Sequence, residues 1–225
     1  MSQPPHDSPK HRLIPGFALA LWRKVFWWNY LRPKPLQVKR AVRRLVAGAR
    51  PIFVELGSAR RAGMDEWTTL DLNGGADIRH DLTRPLPFPD ASVDRIYSSH
   101  VFEHFTYPSQ LLPLLRECYR VLKPGATISC AVPNARLYLT AYFHPETFDQ
   151  KKFCGYDVGL KYTSRIDVVN FVAYLGGQHK FLFDEENLPR VLAEAGFRNA
   201  RLREYDPRLD MPERVHESLY AEAVR

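Results

Sequence analysis

Cysteine is scarce: 225 residues include only Cys118, Cys130 and Cys154, and no two of them form a CxxC pair. That spacing argues against a disulfide framework and against a cysteine-based zinc site, and a reducing compartment fits best. An uninterrupted apolar run is also missing. Spanning a bilayer takes roughly 20 apolar residues, but "LIPGFALALWRKVFWWNYL", Leu13 to Leu31, is broken near its middle by Arg23 and Lys24. The basic start and small-residue cleavage site of a secretory leader are not visible either. No segment repeats. Finally, "FVELGSARRAGMDEWTTLDL", Phe53 to Leu72, reads as strand, turn and strand, yet its loop is too short and too poor in glycine for a standard dinucleotide fingerprint.

What the chain does have is positive charge. The net charge of +7, concentrated near the N-terminus in "RPKPLQVKRAVRRLVAGAR", suits an anionic partner; solubility alone accounts for it equally well. Residues 1–12 are polar and proline-rich and are expected to be disordered. Residues 13–32 set Trp22, Trp27, Trp28 and Tyr30 beside basic residues, a pattern that fits an amphipathic helix on a membrane surface or one packed on the domain. Residues 1–50 thus read as an N-terminal extension and 51–225 as one α/β domain.

Within the domain, strands are expected at "IFVEL" (Ile52 to Leu56), "WTTLDL" (Trp67 to Leu72), "VDRIYS" (Val93 to Ser98) and "ATISCAV" (Ala126 to Val132). Leu111, Leu112, Leu115, Cys118, Tyr119 and Leu122 recur at helical spacing until "KPG" at Lys123 to Gly125. Asp184 is placed to cap a second helix with stripe Leu188, Val191, Leu192 and Ala195, ending at Gly196. Strands "ARLRE" and "SLYAEAV" follow, the last expected to be antiparallel because no helix separates it from its predecessor. Strands alternating with helices imply a mostly parallel sheet with helices on both faces. Residues 135–180, rich in Tyr, Phe and His, interrupt the scheme and suit either a substrate-side lid or a packed loop.

In such sheets a ligand binds beyond the carboxyl ends of the strands. Gly57 follows the first strand, Asp71 ends the second where a carboxylate can accept both ribose hydroxyls, and Asp81 lies one short segment on, placed to meet an adenine amino group. Here the sequence resembles the class I S-adenosylmethionine-dependent methyltransferases, type 11 branch, through the opening stretch, "HDLTRPLPFPDASVDRIYSSHVFEHF", "LLRECYRVLKPGATISCAVPN" and "HKFLFDEENLPRVLAEAGF". The resemblance implies a seven-stranded Rossmann-like sheet with S-adenosylmethionine as cofactor. It also implies that Glu55 orients the methionine amine, Gly57 and Ser58 line the methionine moiety, Asp71 with Leu72 holds the ribose, Asp81 with Leu82 frames the adenine, and Ser98 and Ser99 close the methionine side. The chain departs from the family's pattern at Ala59, which stands where a second glycine is usual and is followed by Arg60 and Arg61.

"HVFEH", His100 to His104, also matches the HxxEH pattern of inverted zinc peptidases, in which a helix sets both histidines on one metal; the third ligand would then be Glu185 or Glu186. The strand directly before it and Pro108 after it count against that reading, and no residue is assigned to a metal. As a methyltransferase the chain needs a base for an oxygen or nitrogen acceptor, and His104, His100 and His179 are the candidates. Tyr138, Tyr142, His144 and Tyr162 suit either an acceptor pocket or the packing of the insertion. The acceptor expected is a small molecule, a glycan or a lipid-linked compound; nucleic acid is disfavoured, since no NPPY-like motif or separate RNA-binding domain is visible. The expected location is the cytoplasm, with peripheral membrane contact through residues 13–32. Two other readings stand beside this one: a zinc hydrolase, and a non-catalytic protein that binds S-adenosylmethionine.

Overall fold

The computed structural model describes residues 35–57, 66–72, 75–149 and 163–225. All described residues belong to one compact unit, Pro33–Arg225. The aromatic basic segment at residues 13–32 therefore lies outside the described residues, as do Ser58, Ala59, Arg60, Arg61 and Tyr162.

In chain order the elements are α1 (Pro35–Ala47), β1 (Phe53–Leu56), β2 (Trp67–Asp71), β3 (Ile78–Arg79), β4 (Val93–Ser99), α2 (Leu111–Val121), β5 (Leu122–Pro133), α3 (Ala135–Phe143), α4 (Ile166–Tyr174), α5 (Asn187–Glu194), β6 (Arg198–Leu202) and β7 (Ser218–Val224). The seven strands form one sheet in the order β3-β2-β1-β4-β5-β7-β6. All pairings from β3 to β5 are parallel, while β7 runs antiparallel to both β5 and β6. The expected mostly parallel sheet with an antiparallel last strand is thus the observed one. Val54, Glu55 and Leu56 are buried in succession. Because successive strand residues point to opposite faces, both faces of the sheet are covered there.

The helices form where their apolar spacing demands. On α2, Leu111, Leu114, Leu115, Cys118 and Val121 are all buried, a stripe at i, i+3, i+4, i+7 and i+10. The helix stops one residue earlier than the sequence suggests, because Leu122 turns extended and pairs with Val93; Lys123 to Gly125 then fall within β5. Asp184 does cap α5: its Oδ1 accepts the N–H groups of Glu186 at 3.0 Å and Asn187 at 2.8 Å. Gly196, at φ +106°, turns the chain out of that helix. Helix α1 buries Val42 in the main core and so packs with the domain, although the sequence reading drew the boundary at residue 51.

The described parts of the insertion, residues 135–149 and 163–180, pack against each other. Tyr138 and Ala141 of α3 meet Val168 and Val172 of α4 in a small core of their own, with Phe148 and Phe171 against it. Among the described residues no helix is long and apolar enough to cross a membrane.

Candidate active site

The strand order reverses between β1 and β4: from β1 the chain proceeds outward to β2 and β3, from β4 the other way to β5. At such a switch the connecting segments leave in opposite directions and open a crevice above the strand ends. Gly57 turns the chain at the end of β1 with φ +72°, and its N–H donates to the Leu70 carbonyl at 2.7 Å. A Cβ at this position would stand 2.3 Å from Cγ2 of Val101. The glycine therefore makes room for the chain's own segment after β4.

Around this crevice the nominated cofactor residues take the following places. Glu55 is completely buried within β1. Asp71 closes β2, half-buried, with its carbonyl accepting from His80 N–H at 2.9 Å. Leu72, the next residue, is exposed. Asp81 commits Oδ1 to its own turn, accepting from Thr83 N–H at 2.9 Å and from the Thr83 hydroxyl at 2.7 Å. Leu82 is buried and contributes to a cavity of about 510 Å³ lined also by Thr83, Ser109, Gln110 and Pro113. At the end of β4 the hydroxyl oxygens of Ser98 and Ser99 are buried without a hydrogen-bond partner among the described residues. Two unsatisfied hydroxyls at a strand end are costly unless a ligand completes them.

Beyond β4 the chain departs from the helix that the HxxEH reading requires. His100 takes the left-handed conformation, φ +54°, with its N–H on the Ala131 carbonyl at 2.9 Å. Only then does a short 3₁₀ turn form over Phe102–His104. His100 and His104 are thus not successive positions on one helical face, and the two-histidine zinc geometry of that motif is not built. Nor is Glu185 available as its third ligand, since it accepts from Asn134 Nδ2 at 3.0 Å and from Arg136 Nε.

What the turn does build is a carboxylate between imidazoles. Glu103 is only 2% exposed, and its Oε1 lies 3.8 Å from His100 Nδ1 and 3.9 Å from His104 Nε2. The segment that follows α4 brings in the third histidine: Lys180 and Phe181 N–H groups donate to the Glu103 carbonyl at 2.7 and 3.2 Å. His179 then packs edge-on against His104, ring centroids 5.0 Å apart. All three histidines nominated from the sequence line one cavity of about 220 Å³, together with Glu103, Tyr138, Gln178, Arg214 and Glu217. Tyr142 and His144 do not line it; both are exposed, and His144 pairs with Glu146 at 3.4 Å.

Burial governs the charge states here. It pushes the Glu103 carboxyl up to about 8, against the pull of the Arg214 guanidinium. Burial and then Arg214 hold His100 well below the ordinary imidazole range, and burial lowers His179 as well. Burial thus favours the neutral imidazole at His100. Arg214 and Glu217 were missed in the sequence. They sit in "PERVHES", which reads as a solvated loop, and only the return of the chain into β7 carries them to the cavity.

Comparison with known proteins agrees with this architecture. Residues 55–130 match the family model described as a methyltransferase domain, type 11. Over 58 residues the chain is 43% identical to a probable S-adenosylmethionine-dependent methyltransferase of Mycolicibacterium smegmatis, covering 26% of this chain and 21% of that one. Over 89 residues it is 34% identical to the demethylmenaquinone methyltransferase of Listeria monocytogenes, covering 37% and 36%. The matches thus span about a fifth and about a third of the curated relatives' lengths. Among solved structures, a SAM-dependent methyltransferase from Archaeoglobus fulgidus shares the fold, with a TM-score of 0.50 at 17% identity over 91% of this chain and 100% of that one. Residues 55–130, which span β1 to most of β5, are thus similar to a methyltransferase domain, and the fold is shared with a SAM-dependent methyltransferase.

Proposed function

We propose that the chain binds S-adenosylmethionine over β1, β2 and β4 and transfers its methyl group to an oxygen or nitrogen of a small-molecule, glycan or lipid-linked acceptor. The observation that carries this reading is the pair of unsatisfied Ser98 and Ser99 hydroxyls at the β1–β4 switch, inside the segment matching the methyltransferase domain. The cofactor supplies a methyl group already activated on a sulfonium. The protein's tasks are then to orient the acceptor and to take its proton.

Asp71 holds the ribose, Leu82 packs the adenine, and the Ser98–Ser99 end of β4 lies beside the methionine end. The acceptor enters the cavity between the β4 turn and the α3–α4 insertion. His100 is the base: it is neutral, buried beside the end of β4, and held by Ser218 Oγ at 2.8 Å from Nε2. His104 and His179 are left to position the acceptor. The basic aromatic segment at residues 13–32 supports a further part of the reading, contact with an anionic membrane surface on the cytoplasmic side. Vesicle sedimentation of the chain with and without residues 1–32 tests it: equal partitioning removes the membrane contact.

Calorimetric titration with S-adenosylmethionine and S-adenosylhomocysteine tests the cofactor assignment. Replacing Asp71 by alanine removes hydrogen bonds of about 1.5–3 kcal/mol, so affinity is expected to fall at least tenfold. A folded chain that binds neither compound would overturn the assignment.

A further inference from the structure

Two of the three histidines beside Glu103 are anchored through Nδ1. His104 Nδ1 lies 3.1 Å from the Gln178 carbonyl oxygen, and His179 Nδ1 lies 2.6 Å from the Val172 carbonyl oxygen. A carbonyl only accepts, so each ring carries its proton on Nδ1 and presents the lone pair of Nε2. This is the arrangement by which metal-binding histidines are oriented, a backbone carbonyl fixing both tautomer and ring plane. One ligand atom from each of Glu103, His104 and His179 falls within 4.8 Å of the others. Both carboxylate oxygens of Glu103 are buried and lack a hydrogen-bond partner among the described residues. A buried carboxylate in that state requires a proton or a cation.

We propose that Glu103, His104 and His179 bind a divalent transition-metal ion of the zinc or manganese class. Two imidazoles select such an ion over calcium or magnesium, and three protein ligands leave open positions. Ligand atoms sharing one ion stand roughly 3.0–3.5 Å apart at bond lengths of about 2.0–2.2 Å, so small rotations of these side chains close the site. The remaining charged groups of the cavity are Glu217, whose Oε1 is also unpartnered among the described residues, and Arg214. The site differs from the peptidase pattern in its members: His100 is excluded, and His179 arrives from 75 residues beyond His104.

The ion's role rests on the methyltransferase reading: its open positions take an acceptor oxygen and bring it within reach of His100. Binding of the ion does not depend on that reading, which lets the two fail separately. The full chain is stripped with a chelator and titrated calorimetrically with zinc chloride and with manganese chloride; cobalt(II) serves as an absorption probe of the ligands. One ion per chain is expected, with ligand-field bands from nitrogen coordination. Glu103→Gln, His104→Ala and His179→Ala are each expected to weaken binding at least tenfold, whereas exposed His144→Ala leaves it unchanged. Circular dichroism and S-adenosylhomocysteine titration of each variant establish that it is folded. A folded, stripped chain that takes up neither ion, or uptake that persists unchanged in folded His179→Ala, overturns the proposal.

Discussion

His100 and Ser218, 118 positions apart in the chain, meet at 2.8 Å through Nε2 and Oγ, joining the end of β4 to the start of β7. The contact holds the proposed base from outside its own segment. Replacing His100 by asparagine, which tolerates φ +54° better than most residues, should leave the backbone in place. Methyl transfer should then fall by about 10²- to 10⁴-fold with S-adenosylhomocysteine affinity retained. Ser218→Ala should lower kcat less, with KM little changed. Equal rates in wild type and His100→Asn, measured on an identified acceptor, would remove His100 as base.

Gly57→Ala tests the turn after β1. The added methyl would meet Val101 at 2.3 Å on a backbone at φ +72°. Overpacking and the left-handed conformation together should cost about 2–4 kcal/mol in urea unfolding. Val101→Ala in the same chain should recover part of that loss, because it removes the atoms the new methyl strikes. No recovery would mean that backbone strain alone carries the cost.

A second structural centre lies under β4. Asp210 accepts from Tyr97 Oη at 2.9 Å and from both terminal nitrogens of Arg203 at 2.6 and 2.7 Å. Arg203 is only 12% exposed, so Asp210→Ala strands a largely buried cation. A loss of about 3–5 kcal/mol is expected. Thermal melts of Asp210→Ala and Asp210→Asn check it, the asparagine being the milder change; an unaltered midpoint in the alanine variant would show that Arg203 finds another partner.

Acid should act through Glu117. Its hydrogen bond from Arg120, opposed by partial burial and aided by the Leu86 N–H, holds the carboxyl below its ordinary 4.5. A folded pKa below the unfolded one stabilises above the unfolded value and is lost as pH falls through the folded value. Stability should therefore drop below about pH 4.5, and Glu117→Gln should flatten that part of the profile. Urea midpoints between pH 6 and pH 3 measure this; parallel profiles would show that other carboxylates control the acid limb.

The order of strands and helices was legible in the chain because it follows local rules. Apolar periodicity marked α2 and α5, Asp184 and Gly196 marked the ends of one helix, and the missing helix before β7 foretold its antiparallel direction. Strand β3 escaped notice because two residues carry no period. The end of α2 was misplaced by one residue because pairing of Leu122 with Val93 outweighed helical spacing.

The site divides in the same way. Strand ends, which are readable locally, singled out Gly57, Asp71 and Asp81, and the family resemblance added Glu55 and the serines of β4. The sequence also nominated the three histidines as candidate bases, each taken singly. Only the tertiary structure decided that His104 and His179 gather beside Glu103 with Nδ1 on backbone carbonyls, that His100 turns aside to Ser218, and that Arg214 and Glu217 complete the cavity. These are contacts between segments far apart in the chain, whose geometry depends on how the sheet stacks its ends and is written in no local pattern.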